Sequence, residues 1–261
     1  MKSFIIASLL AGAALASPLM ERAKAELQAR NAVRRGNRFR AFGDDGLGNI
    51  TATTVQSSNW GGIAIVTSGV TEISGTFTVP KPSAPSGGSR NSEYCGAAWV
   101  GIDGYSNSAL IQTGVLWCVQ GSSYEYEPWY EYLPAALIEY SGFSVTAGDS
   151  VTVTVTKTST SGGTTTISAN GRSASHTFSG QSTKLQGASA EWIVEDFTSG
   201  NSLVPFANFG TVTFTGATAV INGATVSASS DSPVNIVLVS SSGQALTSTS
   251  VSGSSVKVTY E

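Results

Sequence analysis

Gln112 sits inside the apolar run Ala109 to Val115, and Asp103 closes the earlier run Ala97 to Ile102. An amide buried without partners costs roughly 2–7 kcal/mol. Gln112 is therefore either a hydrogen-bonded structural residue or a member of a polar site. Acids and tryptophans recur in similar settings: Trp99 in AAWVGID, Glu127, Trp129 and Glu131 in YEYEPWYEY, and Glu191 and Glu195 in AEWIVEDF. No lysine or arginine interrupts these stretches. Carboxylates gathered without cations raise one another's pKa. Two chemistries suit such a set. Aromatics stack on sugars and paired carboxyls hydrolyse glycosides; alternatively, a carboxyl that handles water carries out acid-dependent hydrolysis.

The elements that must position these residues read as strands. From Val55 to Glu261, short Val/Thr/Ser/Ile-rich runs such as SVTVTVTKT, TTTISA, FGTVTFTGA and SSVKVTYE alternate with Gly, Ser and Asn, and helical periodicity is absent. That pattern predicts one all-β sandwich or barrel. Trp99 to Val115 has the outline of a hairpin around a Gly/Ser/Asn turn. Period-two alternation puts Trp99, Gly101 and Asp103 on one side and Val100 and Ile102 on the other. By the same count Leu110, Gln112 and Gly114 share a side, as do Glu127, Trp129 and Glu131, and Glu191, Ile193 and Glu195. Each strand is expected to send one apolar side into the core and its Trp, Gln and acids outward, into a shared aromatic and acidic groove.

Other layouts are dismissed. His176, in SASHTFSG, is the single histidine and has no nucleophile signature near it, so it reads as an exposed strand residue. No GxSxG, HExxH, P-loop or DTG-type motif occurs. Two cysteines and one histidine make a metal site improbable, and neither cofactor nor metal is expected. In a secreted chain the pair Cys95 and Cys118 reads as a disulfide pinning the strands beside Gln112.

Secretion is itself read from the start of the chain. Lys2, an apolar run from Phe4 to Ala16 and the ending Ala14-Leu15-Ala16 form a signal peptide over residues 1–16, too short to span a bilayer. Residues 17–53 differ from the rest. Seven basic residues lie between Arg22 and Arg40, and LMERAKAELQARNAV is the one good helix-forming run. After a signal peptide this reads as a removable basic propeptide rather than a nucleic-acid-binding arm, with Arg34-Arg35 as one processing point. Asn49-Ile50-Thr51 is a sequon near the junction. The remaining residues 54–261 carry 6 basic and 13 acidic side chains, against −3 for the whole chain. A basic cover on an acidic body should loosen as carboxylates protonate, and few cations mean little self-repulsion in acid. The expectation is a secreted monomer that meets neither nucleic acid nor membrane.

In order along the chain, SSNWGG, FTVPKPS, AWVGIDG, ALIQTGV, PWYEYLP, AEWIVEDF, LVPFANFGTVTFT and VSGSSVKVTY resemble the eqolisins, the glutamic peptidases. The resemblance implies a concanavalin A-like sandwich of two large antiparallel sheets and a secreted acid endopeptidase acting on polypeptides. It also implies a catalytic dyad of Gln112 and Glu195, not Glu191. In that scheme the glutamate activates a water and later protonates the leaving amine, while the glutamine amide orients the water and stabilises the oxyanion. Trp99, Asp103, Glu127, Trp129 and Glu131 fall on supporting or substrate-binding positions. The sequence departs from the family at Tyr105, Glu127 and Tyr132, which puts subsite preference in question. The alternative reading is a carbohydrate-binding or glycoside-hydrolysing lectin-like sandwich.

Overall fold

The computed structural model describes residues 53–196 and 205–261, together with backbone strands at 40–41, 198–199 and 202–203. In chain order the strands are β1 (Arg40–Ala41), β2 (Thr54–Ser57), β3 (Trp60–Val66), β4 (Val70–Thr78), β5 (Glu93–Ile102), β6 (Ile111–Gln120), β7 (Ser123–Tyr132), β8 (Ile138–Glu139), β9 (Ser150–Ser159) and β10 (Gly162–Ala169). They continue as β11 (Arg172–Phe178), β12 (Ser189–Glu195), β13 (Thr198–Ser199), β14 (Ser202–Leu203), β15 (Thr211–Ile221), β16 (Ala224–Ser227), β17 (Val234–Leu238), β18 (Thr247–Ser252) and β19 (Ser255–Tyr260). Among the described residues there is no helix. The signal peptide, the helix-forming run, Arg34-Arg35 and the Asn49 sequon all lie outside the described residues.

Two large, mainly antiparallel sheets form a sandwich. The first runs β1-β2-β17-β3-β12-β5-β6-β7-β8 and the second β11-β10-β9-β4-β15-β19-β18, with β16 beside β15. Alternation explains the core between them. Val100, Ile102, Ile111, Val115, Trp192 and Val194 face in from the first sheet, to meet Val151, Val153, Val155, Phe214 and Val256 of the second. One polar chain crosses this core. Thr113 Oγ1 donates to the Trp129 carbonyl at 2.7 Å and lies 3.1 Å from the Tyr140 hydroxyl, which donates to Thr165 Oγ1 of β10 at 2.9 Å.

The outer face of the second sheet is largely a lattice of hydroxyls, with Glu72 and Lys257 among them. Thr76 and Thr152 are 2.8 Å apart, Ser74 and Thr154 2.9 Å, and Thr164 and Thr177 3.1 Å. His176 does lie on a strand of this sheet, but it is not simply exposed. It is half-buried, its ring stacked on Tyr130 at 4.2 Å with planes 12° apart, and burial lowers its pKa.

The opposite face of the first sheet departs from expectation. The side chains assigned to an outward groove are buried: Trp99 and Glu191 are 0 % exposed and Gln112 and Glu195 2 %. A second apolar cluster on that face, including Trp60, Leu110, Leu133 and Leu137, covers them. The first sheet is thus buried on both sides where it carries its acids. Tyr132, counted among the residues near the groove, faces the core between the sheets and donates its hydroxyl to the Thr183 carbonyl at 2.7 Å.

Candidate active site

The strand register lays the acidic face out as a grid. Across β7, β6, β5 and β12, one row reads Glu131, Gln112, Gly101, Glu191; the next reads Trp129, Gly114, Trp99, Ile193; the third reads Glu127, Leu116, Ala97, Glu195. Side chains on one face repeat every second residue, so these twelve positions all project to the same side. Two glycines make the grid possible. A Cβ at Gly114 would lie 2.1 Å from the Ala98 carbonyl oxygen and 2.6 Å from Trp99 Cβ, so the Trp99 indole can lie flat only over a residue without a side chain. Gly101 does the same between Gln112 and Glu191, where a Cβ would meet Trp99 Cζ3 at 3.0 Å.

Trp99 occupies the centre of the diagonal from Gln112 to Glu195. Its indole Nε1 donates to Glu195 Oε2 at 2.8 Å, and its ring meets Trp60 edge to face at 5.0 Å. Glu195 Oε1 accepts from Asn59 Nδ2 at 3.2 Å. Gln112 Nε2 donates to Glu131 Oε2 of the adjacent strand, while the Gln112 carbonyl oxygen has no hydrogen bond among the described residues. Nε2 carries two N–H groups; one is spent on Glu131 and one remains. Trp129 is likewise buried with its Nε1 unpaired among the described residues. Glu127 is buried across from Leu116, in the row of Glu195.

Glu191 is the neighbour of Gln112 by register, about 10 Å away across Gly101 at the usual strand spacing, whereas Glu195 is offset by about a further 13 Å along the strands. The two acids differ in environment. Burial pushes the Glu191 carboxyl well above the usual carboxylate range; the Ser189 hydroxyl beside it opposes that, and the Asp103 charge adds to it. Neither Glu191 oxygen has a well-formed hydrogen bond among the described residues. Burial thus favours the neutral form of Glu191, while Glu195 receives two N–H donors.

Asp103 works behind the face. Its φ of 71° turns the chain at the end of β5, a conformation Asp tolerates better than most residues. Its carboxylate accepts backbone N–H groups from Gln186 (2.7 Å), Gly187 (3.0 Å) and Ala188 (2.8 Å), and the Asn107 amide at 2.9 Å. Those residues feed directly into β12, so Asp103 sets the strand that carries Glu191 and Glu195. Tyr105 is half-buried against the second apolar cluster, and its phenol pKa is raised by burial and then by Glu191.

Cys95 and Cys118 are joined by a disulfide across β5 and β6. They lie on the site's face but six residues along β6 from Gln112, about 20 Å at strand rise. The expectation that they pin the strands beside Gln112 is corrected: they close the far end of the hairpin. Asn59 and Ser189 also border the two glutamates, without a signal in the sequence. SSNWGG looks like an ordinary turn before a strand, and nothing in its spacing points 136 positions along the chain to Glu195.

A two-sheet sandwich with an amide and several glutamates buried around tryptophans has the build of a glutamic-type peptidase. The chain belongs to the peptidase A4 family, whose sequence profile matches residues 58–260. It is 42% identical to aspergillopepsin-2 of Aspergillus niger over 99% of this chain and 98% of that one. It is 35% identical to scytalidopepsin B of Scytalidium lignicola over 92% of this chain and 89% of that one. Among solved structures, scytalido-glutamic peptidase with a transition state analog inhibitor matches with a TM-score of 0.69 at 35% identity, over 78% of this chain and 98% of that one. Aspergilloglutamic peptidase from Aspergillus niger matches with a TM-score of 0.60 at 46% identity, over 64% and 99% of the respective chains. The chain is a peptidase, and the carbohydrate-active alternative falls away.

Proposed function

We propose that the chain is a secreted acid endopeptidase whose catalytic pair is Glu195 and Gln112. Glu195, as carboxylate, takes a proton from a water as its oxygen attacks the scissile carbonyl. The remaining Gln112 Nε2–H donates to the oxygen that becomes negative in the tetrahedral intermediate. The intermediate collapses as Glu195 returns the proton to the leaving amine nitrogen, and the C–N bond breaks. The products are a free carboxyl and a free amine, and Glu195 ends as it began. Glu131 fixes the Gln112 amide, and Trp99 fixes the carboxylate.

The observation that carries this reading is the pair of N–H donors on Glu195, on the same buried face as a glutamine with one N–H to spare. Glu191, nearer in register, lacks both donors and is held neutral. The peptide-based transition state analog and the tripeptide bound to relatives support a peptide as the substrate. The acidic working range is carried over from the eqolisin resemblance. Residues 1–16 are assigned as signal peptide and 17–53 as a basic propeptide, removed before the peptidase acts.

Protein digestion at acidic pH tests the pair. Folded Gln112→Ala and Glu195→Ala variants are each expected to lose nearly all proteolysis. Near wild-type digestion by either would remove that residue from the mechanism.

A further inference from the structure

Resting on the assignment of Glu195 as the water-activating carboxylate, we propose that Asn59 is the positioning residue for that carboxylate and that Ser57 sets the direction of the Asn59 amide. Asn59 occupies the turn between β2 and β3, and Trp60, which follows it, pairs with Glu195 in the register of β3 and β12. The turn is tied to the acid's own strand: the backbone N–H of Asp196 donates to the Asn59 carbonyl at 2.9 Å. From there the Asn59 side chain delivers Nδ2 to Glu195 Oε1 at 3.2 Å, while Trp99 Nε1 holds Oε2 at 2.8 Å. Each carboxylate oxygen thus has a donor, from a different element.

The direction of the Asn59 amide follows from counting. A serine hydroxyl offers one donor and two acceptor lone pairs. Ser57 is buried, and its Oγ accepts the backbone N–H of Asn59 at 3.3 Å and that of Trp60 at 3.1 Å. Both lone pairs are filled, so the hydroxyl has only its proton left to give, and it gives it to Asn59 Oδ1 at 3.2 Å. With its oxygen held by Ser57, the Asn59 amide must present its NH2 to Glu195. Flipping the amide would aim its oxygen at the carboxylate and leave Oγ with three donors for two lone pairs. Ser57 therefore makes Asn59 a donor to the Glu195 carboxylate, and the donor keeps that carboxylate aimed.

The test compares Asn59→Ala, Asn59→Asp and Ser57→Ala with Glu195→Gln in the full-length chain, using kcat and KM on a peptide substrate across the acidic range, with thermal unfolding in parallel. Asn59→Ala is expected to lower kcat by about 100-fold, the scale for misplacing a reacting group, with KM changed less than about twofold. Asn59→Asp, which puts an acceptor where the N–H donor stood, should lower kcat at least as far, and Ser57→Ala should lower it less. A purely structural Asn59 would instead lower the melting temperature and leave kcat of the folded fraction in place; that result overturns the proposal. Should Asn59→Ala be unchanged while Glu195→Gln is inactive, Asn59 fails and the dyad stands. An active Glu195→Gln would sink the dyad itself, and with it the role given to Asn59.

Discussion

Glu191 and Glu195 sit four residues apart on one face of one strand, in different surroundings. Trp99 and Asn59 supply N–H groups to Glu195, whereas Glu191 is wholly buried and pushed up by desolvation. That difference has a pH signature. An unfolded glutamate titrates near its ordinary value of about 4.3, and the native Glu191 titrates well above it. Below the ordinary value both states are protonated and nothing is lost. As pH rises toward the native value, the unfolded chain releases a proton that the native state keeps, and stability falls. Glu191→Gln removes this loss. Its melting temperature should match wild type near pH 3 and exceed it near pH 7, while peptidase activity stays within a few fold. A variant no more stable than wild type at neutral pH would show that Glu191 is not the neutral acid described. The alternation of Glu191 and Glu195 with Trp192 and Val194 was legible in the sequence; their burial was not. Period two reports which side a residue faces and is silent on what covers that side.

At the scale of elements, β12 is aimed by Asp103 and β6 is kept close to β5 by small residues. Asp103 accepts four hydrogen bonds, three of them from the backbone entering β12. Asp103→Asn replaces an acceptor oxygen with an NH2 facing those N–H groups. Because hydrogen bonds to charged groups contribute about 1.5–3 kcal/mol each, a loss of roughly 3 kcal/mol or more is expected in denaturant unfolding. Near wild-type stability would contradict the anchoring role. The Cys95–Cys118 disulfide, about 20 Å along the hairpin from Gln112, supports the hairpin and not the site. Replacing both cysteines with alanine should cost about 3 kcal/mol of stability and leave kcat of the folded enzyme unchanged; a lowered kcat would place the bridge nearer the chemistry. The hairpin of β5 and β6 and its faces could be read from Trp99 to Val115. The β12 neighbour of β5 could not, since about ninety residues separate them and no local pattern specifies a non-sequential pairing.

The cations are unevenly shared along the chain, with 8 of the 14 before residue 54. Residues 54–261 hold 6 basic side chains against 13 acidic ones, and hydroxyl pairs such as Thr76 with Thr152 stand where a surface sheet often carries charges. Protonating the carboxylates in acid therefore leaves little positive charge to repel itself. The basic segment bears on the opposite regime. Its backbone at Arg40–Ala41 pairs with β2 at the edge of the first sheet, next to the strand that carries Ser57. A pro-form should be more stable than the processed body at neutral pH and lose that advantage as carboxylates protonate. Equal melting curves for the two forms at every pH would reject an electrostatic cover. Composition made the all-β class and the charge division plain. The order of nine strands in the first sheet, with β17 parallel to β2, came only from the fold, because parallel pairing is made through long-range packing and leaves no turn signal.

In the proposed dyad Glu195, and not the register neighbour of Gln112, does the chemistry. Single-turnover peptide cleavage at acidic pH by folded Glu195→Gln and Glu191→Gln separates the two directly. Loss of about 1,000-fold or more in Glu195→Gln, the upper range for removing a general acid–base group, with cleavage within a few fold of wild type in Glu191→Gln, is the expected result. The reverse pattern, an active Glu195→Gln beside an inactive Glu191→Gln, would contradict the account.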